Sequence, residues 1–388
     1  MNYEHLQPVE VNVLQGFVDA GQITSRHVRP GVGVGLDSMG PARNPKTDDL
    51  FPGTKEAIHR FGEAMQTHNL LLIPATNGPN IEGEDILQAL PASAAAFAIT
   101  EGGGVLIYRN LEGAFAHQTL AKEEDLEAKA KLEEQASKHP FMHAMLTDTQ
   151  VSDDARPMRT PYETNVVITL PTTFDTLQRR VHPYVGRLED IIPGIDASNY
   201  IEKVLVFAEA EFGRGILEGN LEDNLSVLVK KQNRRIYVMP NHLLDHRKLN
   251  KYGGVELASQ LLQLWGFESY PDYTMSNSIY IADKVIDRTS DGQEVIGPPE
   301  RSMVTGALEY FYRSRPDDDL NVVKLQALDR RGKKTTHIAE VACRMAFDVT
   351  MSDDLPEVKT VEGVPILRLG SGNKVLEAIP WLLEQLAA

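Results

Sequence analysis

The run Val32-Gly33-Val34-Gly35-Leu36-Asp37-Ser38-Met39-Gly40-Pro41 decides how the chain is read. Five small or apolar residues in succession predict a short buried strand. That strand ends in a lone carboxylate, Asp37, and then a Gly-Pro turn, which places the carboxylate at the carboxyl edge of a sheet. Open α/β folds bind their ligands at that edge.

Working outward, an N-terminal extension runs to about Arg29, and an irregular Pro/Asn/Asp-rich stretch runs from Pro41 to Pro52. Thr54 then reads as the N-cap of a helix whose Ala57, Ile58, Phe61 and Met65 fall at helical spacing. Leu70 to Ala75 reads as a second buried strand, ending at Thr76, Asn77 and Gly78. A short helix is expected over Glu84 to Leu90. Ala96 to Thr100 and Val105 to Tyr108, separated by Glu101 and a run of glycines, read as a strand and a hairpin arm. This alternation predicts a doubly wound, Rossmann-like parallel α/β sheet.

The pattern changes over 112–240. Lys122 to Lys138 reads as a charged, solvated helix. Val166 to Leu170, Lys203 to Ala208, Ser226 to Val229 and Arg235 to Met239 read as strands, with helical patterns around Thr176 to Leu188 and Leu217 to Asn224. The block is therefore expected to be a separate α+β module, inserted between 30–111 and 241–388 of one α/β domain. The sheet resumes after a helix over Gly254 to Trp265, introduced by Lys251, Tyr252 and Gly253. Ser278 to Ala282 reads as another strand ending in a carboxylate, Asp283, with Asp287 four residues on. About 288–340 is polar and reads as an insertion, partly helical around Val304 to Arg313. Met345 to Thr350 and Val364 to Leu369 read as strands and Val375 to Leu386 as a closing helix.

Composition narrows the function classes. The 388 residues are 24% charged and 42% hydrophobic, ordinary for a globular protein of two domains. A net charge of -16 without a dense Lys/Arg stripe disfavours nucleic acid as a partner. Cys343 is the only cysteine, so no intrachain disulfide and no thiolate zinc cluster can form, and a cytoplasmic location is expected. Met1 to Gln15 has no secretory pattern, and no apolar run approaches the roughly 20 residues of a membrane span. His242 and His246 lie four apart but lack a helical zinc-site pattern and read as loop histidines. Gly31, Gly33 and Gly35 lie before and within the strand rather than between strand and helix, which argues against a dinucleotide fingerprint.

Taken in order, Asp37, Thr76, Lys251, and Asp283 with Asp287 resemble the four motifs of haloacid dehalogenase-like phosphatases. Ile73-Pro74-Ala75-Thr76-Asn77-Gly78-Pro79 is similar to the strand-Ala-Thr-Gly-Arg-Pro segment of the subfamily with a large cap between motifs two and three. Ile99 to Tyr108 resembles that group's Asn-Gly-Ala hairpin, and Asp354-Leu355-Pro356-Glu357-Val358-Lys359 its stretch after motif four. The resemblance implies a Mg²⁺-dependent phosphatase acting on a small phosphorylated metabolite, with a sugar phosphate the expected class, and with 112–240 as the cap. It makes Asp37 the nucleophile that forms an aspartyl phosphate. It also implies Mg²⁺ ligation by Asp37, Asp283 and the backbone carbonyl of Met39, with Asp287 positioning metal-bound water or the lysine. Thr76, with Asn77 and Gly78, would bind the phosphoryl group, and Lys251 would offset its charge, with Lys248 a nearby rival. Lys203, Arg234 and Arg235 are candidates for a second anionic contact in the cap.

The departures are as informative. Motif one normally carries a second Asp as general acid/base, and Met39 cannot transfer a proton. Ala282 and Ile286 replace the usual Gly and Asn of motif four, and Asn77-Gly78 replaces Gly-Arg in motif two. Three readings remain open: a phosphatase whose leaving group needs little protonation or whose cap supplies a His or Asp on closure, a sensor or regulatory subunit that binds a phosphorylated ligand without efficient turnover, and a phosphotransferase with a stable aspartyl phosphate.

Overall fold

The computed structural model describes residues 3–38, 40–44, 49–94, 96–110, 112–138, 162–170, 190, 193–194, 196, 198–230, 235–267, 278–283, 285–289, 292–297, 300–305, 344–350 and 354–387. Met39, Arg234, Cys343, the expected helix at Thr176 to Leu188 and 306–340 of the expected insertion lie outside the described residues.

The elements run α1 (Pro8–Asp19), β1 (Gly33–Leu36), α2 (Thr54–His68), β2 (Leu71–Pro74), α3 (Asn80–Ala89), β3 (Phe97–Thr100), β4 (Val105–Arg109) and β5 (Phe115–Thr119). Then come α4 (Glu123–Lys138), β6 (Val166–Thr169), α5 (Tyr200–Glu218), β7 (Leu225–Lys230) and β8 (Arg235–Pro240). The chain continues with α6 (Lys251–Leu264), β9 (Ser278–Asp283), β10 (Ile286–Arg288), β11 (Glu294–Ile296), α7 (Arg301–Thr305), β12 (Met345–Val349), β13 (Glu357–Val361), β14 (Val364–Leu369) and α8 (Gly372–Ala387). Two compact units result: Met1–Gln118 with Asn250–Ala388, and the intervening Thr119–Leu249. Sequence composition had put the module at 112–240; the structure draws the division at 118/119 and 249/250.

The first unit is α/β, built on a six-stranded sheet of order β13-β14-β12-β9-β1-β2, parallel except for β13. Parallel bridges Leu72↔Ala96 and Ala75↔Ile99 lead from β2 to the three-stranded sheet β3-β4-β5. Strand side chains alternate between faces. Val34, Leu36, Ile279, Ile281, Phe347 and Leu367 accordingly share one cluster with Phe61 of α2 and Leu376, Ile379 and Leu383 of α8. Each such fully buried side chain stabilises the unit by roughly 1.5–3 kcal/mol. The N-terminal stretch is part of this core: Leu6, Leu14, Ile23 and Val28 belong to the same cluster. Glu377 of α8 accepts hydrogen bonds from the His5 and Leu6 amides, and Lys374 pairs with Glu10 of α1.

The register positions the site. Leu36 is aligned with Pro74 on β2 and with Ile281 on β9, so all three strands end at one edge of the sheet. The amide of Asp37 continues the ladder to the Ile281 carbonyl at 2.8 Å, and that of Thr76 to the Ile99 carbonyl at 2.9 Å. Asp37, Thr76 and Asp283 therefore leave the same edge on neighbouring strands.

The second unit packs α4 and α5 on the antiparallel sheet β6-β8-β7. The strand expected over Lys203 to Ala208 is instead part of α5. Its Val-Leu-Val-Phe run has the β-branched character of a strand. Yet Val204, Leu205, Ala208, Phe212 and Ile216 are buried at helical spacing while Val206 is 51% exposed, so packing over a helical period outweighs local propensity. The helical pattern expected from Leu217 to Asn224 also ends early, at Glu218. Thr54 is the first residue of α2 rather than its cap; Gly53 is the N-cap, and the buried Thr54 hydroxyl bonds Asn373. Among the described residues no helix is long and apolar enough to cross a membrane.

Candidate active site

Asp37 is buried at the carboxyl end of β1. Its Oδ2 lies 3.3 Å from Nζ of Lys251, the first residue of α6, whose side chain is 4% exposed. The start of α6 is held where it is by two features. Asn250 caps it, its side chain accepting from the Gly253 amide at 2.8 Å, and the helix packs on the tight turn Glu101–Gly103 that follows β3. It is thus Lys251, not Lys248, that pairs with Asp37; Lys248 lies in the other unit.

Asp283 closes on the same turn. Gly40 has φ of +90°, and a Cβ there would lie 2.4 Å from Asp283 Cγ, so the Asp283 carboxylate packs directly against the loop after Asp37. Only glycine fits both demands. Behind Asp283, the buried Asp348 accepts from the Val285 amide at 2.9 Å and from Arg368 Nε at 2.9 Å, anchoring the backbone that follows β9.

Asp287 is elsewhere. It sits exposed on β10, opposite Val295, and its Oδ1 accepts from the Arg288 amide. The carboxylate that faces Lys251 is Glu300, buried, with Oε2 3.6 Å from Nζ and a hydrogen bond from the Tyr280 hydroxyl. Glu300 follows the hairpin of β10 and β11. Sequence reasoning missed it because the expected position was four residues after Asp283, and the hairpin delays the carboxylate to a place no local spacing marks.

Three carboxylates therefore share one ammonium in a buried pocket. Burial pushes the Asp37 carboxyl up to about 8; Lys251 opposes that shift, and Glu300 and Asp283 add to it. Burial acts to lower the Lys251 pKa, but Asp37 and Glu300 outweigh it and hold the ammonium above its ordinary range. The pocket thus favours additional positive charge. Its donors are hard carboxylate oxygens, the chemistry that suits a divalent cation such as Mg²⁺, with Asp37 and Asp283 the residues placed to hold one. Among the described residues no group of three or more His, Cys, Asp or Glu side chains is arranged around a common metal position.

At the end of β2, the Thr76 hydroxyl accepts from the Gly78 amide at 2.9 Å and donates to Glu82 Oε2 at 2.6 Å. Ser38 donates to the same oxygen at 2.8 Å. Asn77 is half-buried between them in sequence. Glu82, like Glu300, was not singled out by its sequence context: it precedes the helix expected over Glu84 to Leu90, whereas α3 begins at Asn80 and takes Glu82 into its first turn.

The other candidates have local duties. His242 Nδ1 lies 3.1 Å from Asp125 Oδ2, whereas His246 sits at a turn with φ of +64°. Lys203 donates to the Gly194 carbonyl at 2.7 Å, and Arg235 begins β8.

No protein-family model and no curated protein sequence matches the chain. Solved structures do. A haloacid dehalogenase-like hydrolase from Bacteroides thetaiotaomicron is 14% identical, with 71% of this chain and 85% of that one covered and a TM-score of 0.36. The C-terminal domain of trehalose-6-phosphate phosphatase from C. albicans is 11% identical over 97% of this chain and 96% of that one, with a TM-score of 0.43. An IMP-nucleotidase from Plasmodium falciparum is 10% identical, with 66% of this chain and 54% of that one covered and a TM-score of 0.37. The parallel sheet brings Asp37, Thr76 and Asp283 to its carboxyl edge, with Lys251 opening the helix beside Asp37.

Proposed function

We propose that the chain is a phosphatase of the haloacid dehalogenase type, hydrolysing a small phosphate monoester, with a sugar phosphate as the expected class. The observation that carries this reading is the buried contact of Lys251 Nζ with Asp37 Oδ2 at 3.3 Å, at the sheet edge that Asp283 also reaches. A carboxylate held against an ammonium in a dry pocket is oriented for attack and next to a charge that offsets the incoming phosphoryl oxygens. Asp37 is the nucleophile. Its carboxylate oxygen bonds to phosphorus as the ester bond breaks, and water later releases inorganic phosphate from the aspartyl phosphate.

Glu300 holds Lys251 in place, with the Tyr280 hydroxyl fixing Glu300 in turn. The loop Thr76–Gly78 lies at the adjoining strand end and receives the phosphoryl group. Asp37 and Asp283 would hold Mg²⁺, which when bound supplies Lewis-acid charge neutralisation to the phosphoryl oxygens. The inserted unit Thr119–Leu249 takes the role of cap and selects the substrate.

The test is release of inorganic phosphate from a panel of sugar and nucleoside monophosphates with and without Mg²⁺, against an Asp37→Asn control. Release that depends on Asp37 supports the reading. Phosphomonoester binding with no release above the control sinks it and leaves a ligand-binding sensor.

A further inference from the structure

Met39 leaves motif one without a group that can carry a proton, yet a buried carboxylate on another element bonds the residue that follows the nucleophile. Glu82, in the first turn of α3, is 1% exposed. Its Oε2 accepts from both the Ser38 and the Thr76 hydroxyls. Ser38 follows Asp37 directly and Thr76 ends the neighbouring strand, so one carboxylate oxygen ties together the two loops that flank the attack site. Gly78 makes room for it: a Cβ there would lie 1.9 to 2.1 Å from three atoms of the Glu82 carboxyl group. The carboxyl group therefore lies directly on the backbone of the loop assigned to the phosphoryl group.

Helix capping does not account for this placement. A Glu at the third helical position ordinarily accepts from the amide of the N-cap residue. Here the N-cap is Pro79, which has no N–H to offer. A phosphoryl group arriving on the Thr76–Gly78 loop meets this carboxyl group, the kind of side chain that can give a proton in one step and take one in the next.

We propose, on the basis of the phosphatase reading above, that Glu82 is the general acid/base of this site. In the first half-reaction an Asp37 oxygen bonds to phosphorus, the phosphorus–oxygen ester bond breaks, and the leaving oxygen takes the proton of the Glu82 carboxyl. In the second, the Glu82 carboxylate takes a proton from water as the water oxygen bonds to phosphorus and the Asp37–phosphorus link breaks. Inorganic phosphate leaves, and both carboxyl groups return to their starting forms.

The experiment compares the full chain with Glu82→Gln and Asp37→Asn on two esters in the presence of Mg²⁺. Glucose 6-phosphate has an alkoxide leaving group that needs a proton; p-nitrophenyl phosphate has one that does not. Glu82→Gln is expected to lose ~10²- to 10⁴-fold in kcat on the sugar ester, while its first-turnover burst of nitrophenolate stays within about 5-fold of wild type. Phosphoryl label then accumulates on Asp37, because the second step has lost its base. Equal loss of the first-turnover rate on both esters, or loss on neither, overturns the role of Glu82 while leaving the phosphatase intact. A wild-type chain that releases phosphate from neither ester overturns both readings. A measurement needing no variant runs alongside: across alkyl and aryl phosphates the wild-type rate should depend weakly on leaving-group basicity, and a steep dependence overturns the proposal.

Discussion

Each unit is organised around a buried aspartate, and the two are opposites. In the inserted unit Asp125 is fully buried and accepts from the Asn241 amide at 3.0 Å, the His242 amide at 2.7 Å and Asn224 Nδ2 at 2.7 Å, with His242 Nδ1 a further partner. In the other unit Asp37 has Lys251 on one side and the carboxylates of Asp283 and Glu300 around it. Asp125 meets donors that match its lone pairs and joins β8 to α4. Asp37 meets like charge. A buried carboxylate whose donors are complete is architecture, whereas one held against its own kind stores the charge imbalance that a cationic ligand resolves.

The contrast breaks most directly at Asp37. Asp37→Asn is expected to lower phosphate release by about 10³-fold or more, with a melting temperature no lower than wild type because one of three crowded carboxylates has been neutralised. A marked fall in melting temperature would place Asp37 in the same class as Asp125. The converse substitution, Asp125→Ala, orphans two buried backbone amides and is expected to cost about 3 kcal/mol in urea unfolding. Full stability in that variant would remove the structural half of the comparison.

A smaller effect sharpens the functional half. Glu300→Gln weakens the hold on Lys251 and should lower kcat by roughly 10-fold with little change in KM, while Asp287→Asn leaves both unchanged. The reverse pattern in steady-state kinetics would return the role to the residue four positions after Asp283. The smallest effect concerns a half-buried group, His27, whose Nδ1 accepts from the Thr24 amide at 3.2 Å. Burial, then Arg26 and Arg344, lowers its pKa below the ordinary 6.5. The neutral ring is the one the fold accommodates, so the unfolded chain binds the proton first as pH falls. Stability from His27 is therefore present above pH 6.5 and is lost as pH falls from 6.5 through the folded value. Thermal unfolding should show a drop between pH 7 and 5 that His27→Gln reduces; an unchanged slope would show that His27 does not contribute.

What was readable without coordinates is what local pattern carries. Runs such as Val32 to Leu36 and Leu70 to Ala75 are too apolar to be anything but buried, and a polar residue closing such a run in a parallel sheet must emerge at the carboxyl edge. Asp37, Thr76 and Asp283 were legible for that reason, and Lys251 because it introduces a helix with a clear apolar period. The helix over Tyr200 to Glu218 was misread because Val204 to Phe207 has strand character over four residues while its helical period shows only over seventeen or more.

Glu82 and Glu300 belong to the other category. Nothing in Asn80-Ile81-Glu82-Gly83 separates that glutamate from a solvated first-turn acid, and its burial depends on a proline that withholds an amide and a glycine that withholds a Cβ. Glu300 reaches Lys251 only because the hairpin of β10 and β11 returns the chain to the sheet edge. Periodicity and strand ends are local properties, written in adjacent residues, and they carried the α/β class and the placing of Asp37, Thr76 and Asp283 at strand ends. Which carboxylates gather at the sheet edge depends on contacts between residues tens to hundreds of positions apart, and those distances close only when the sheet register and the loops at its edge are in place.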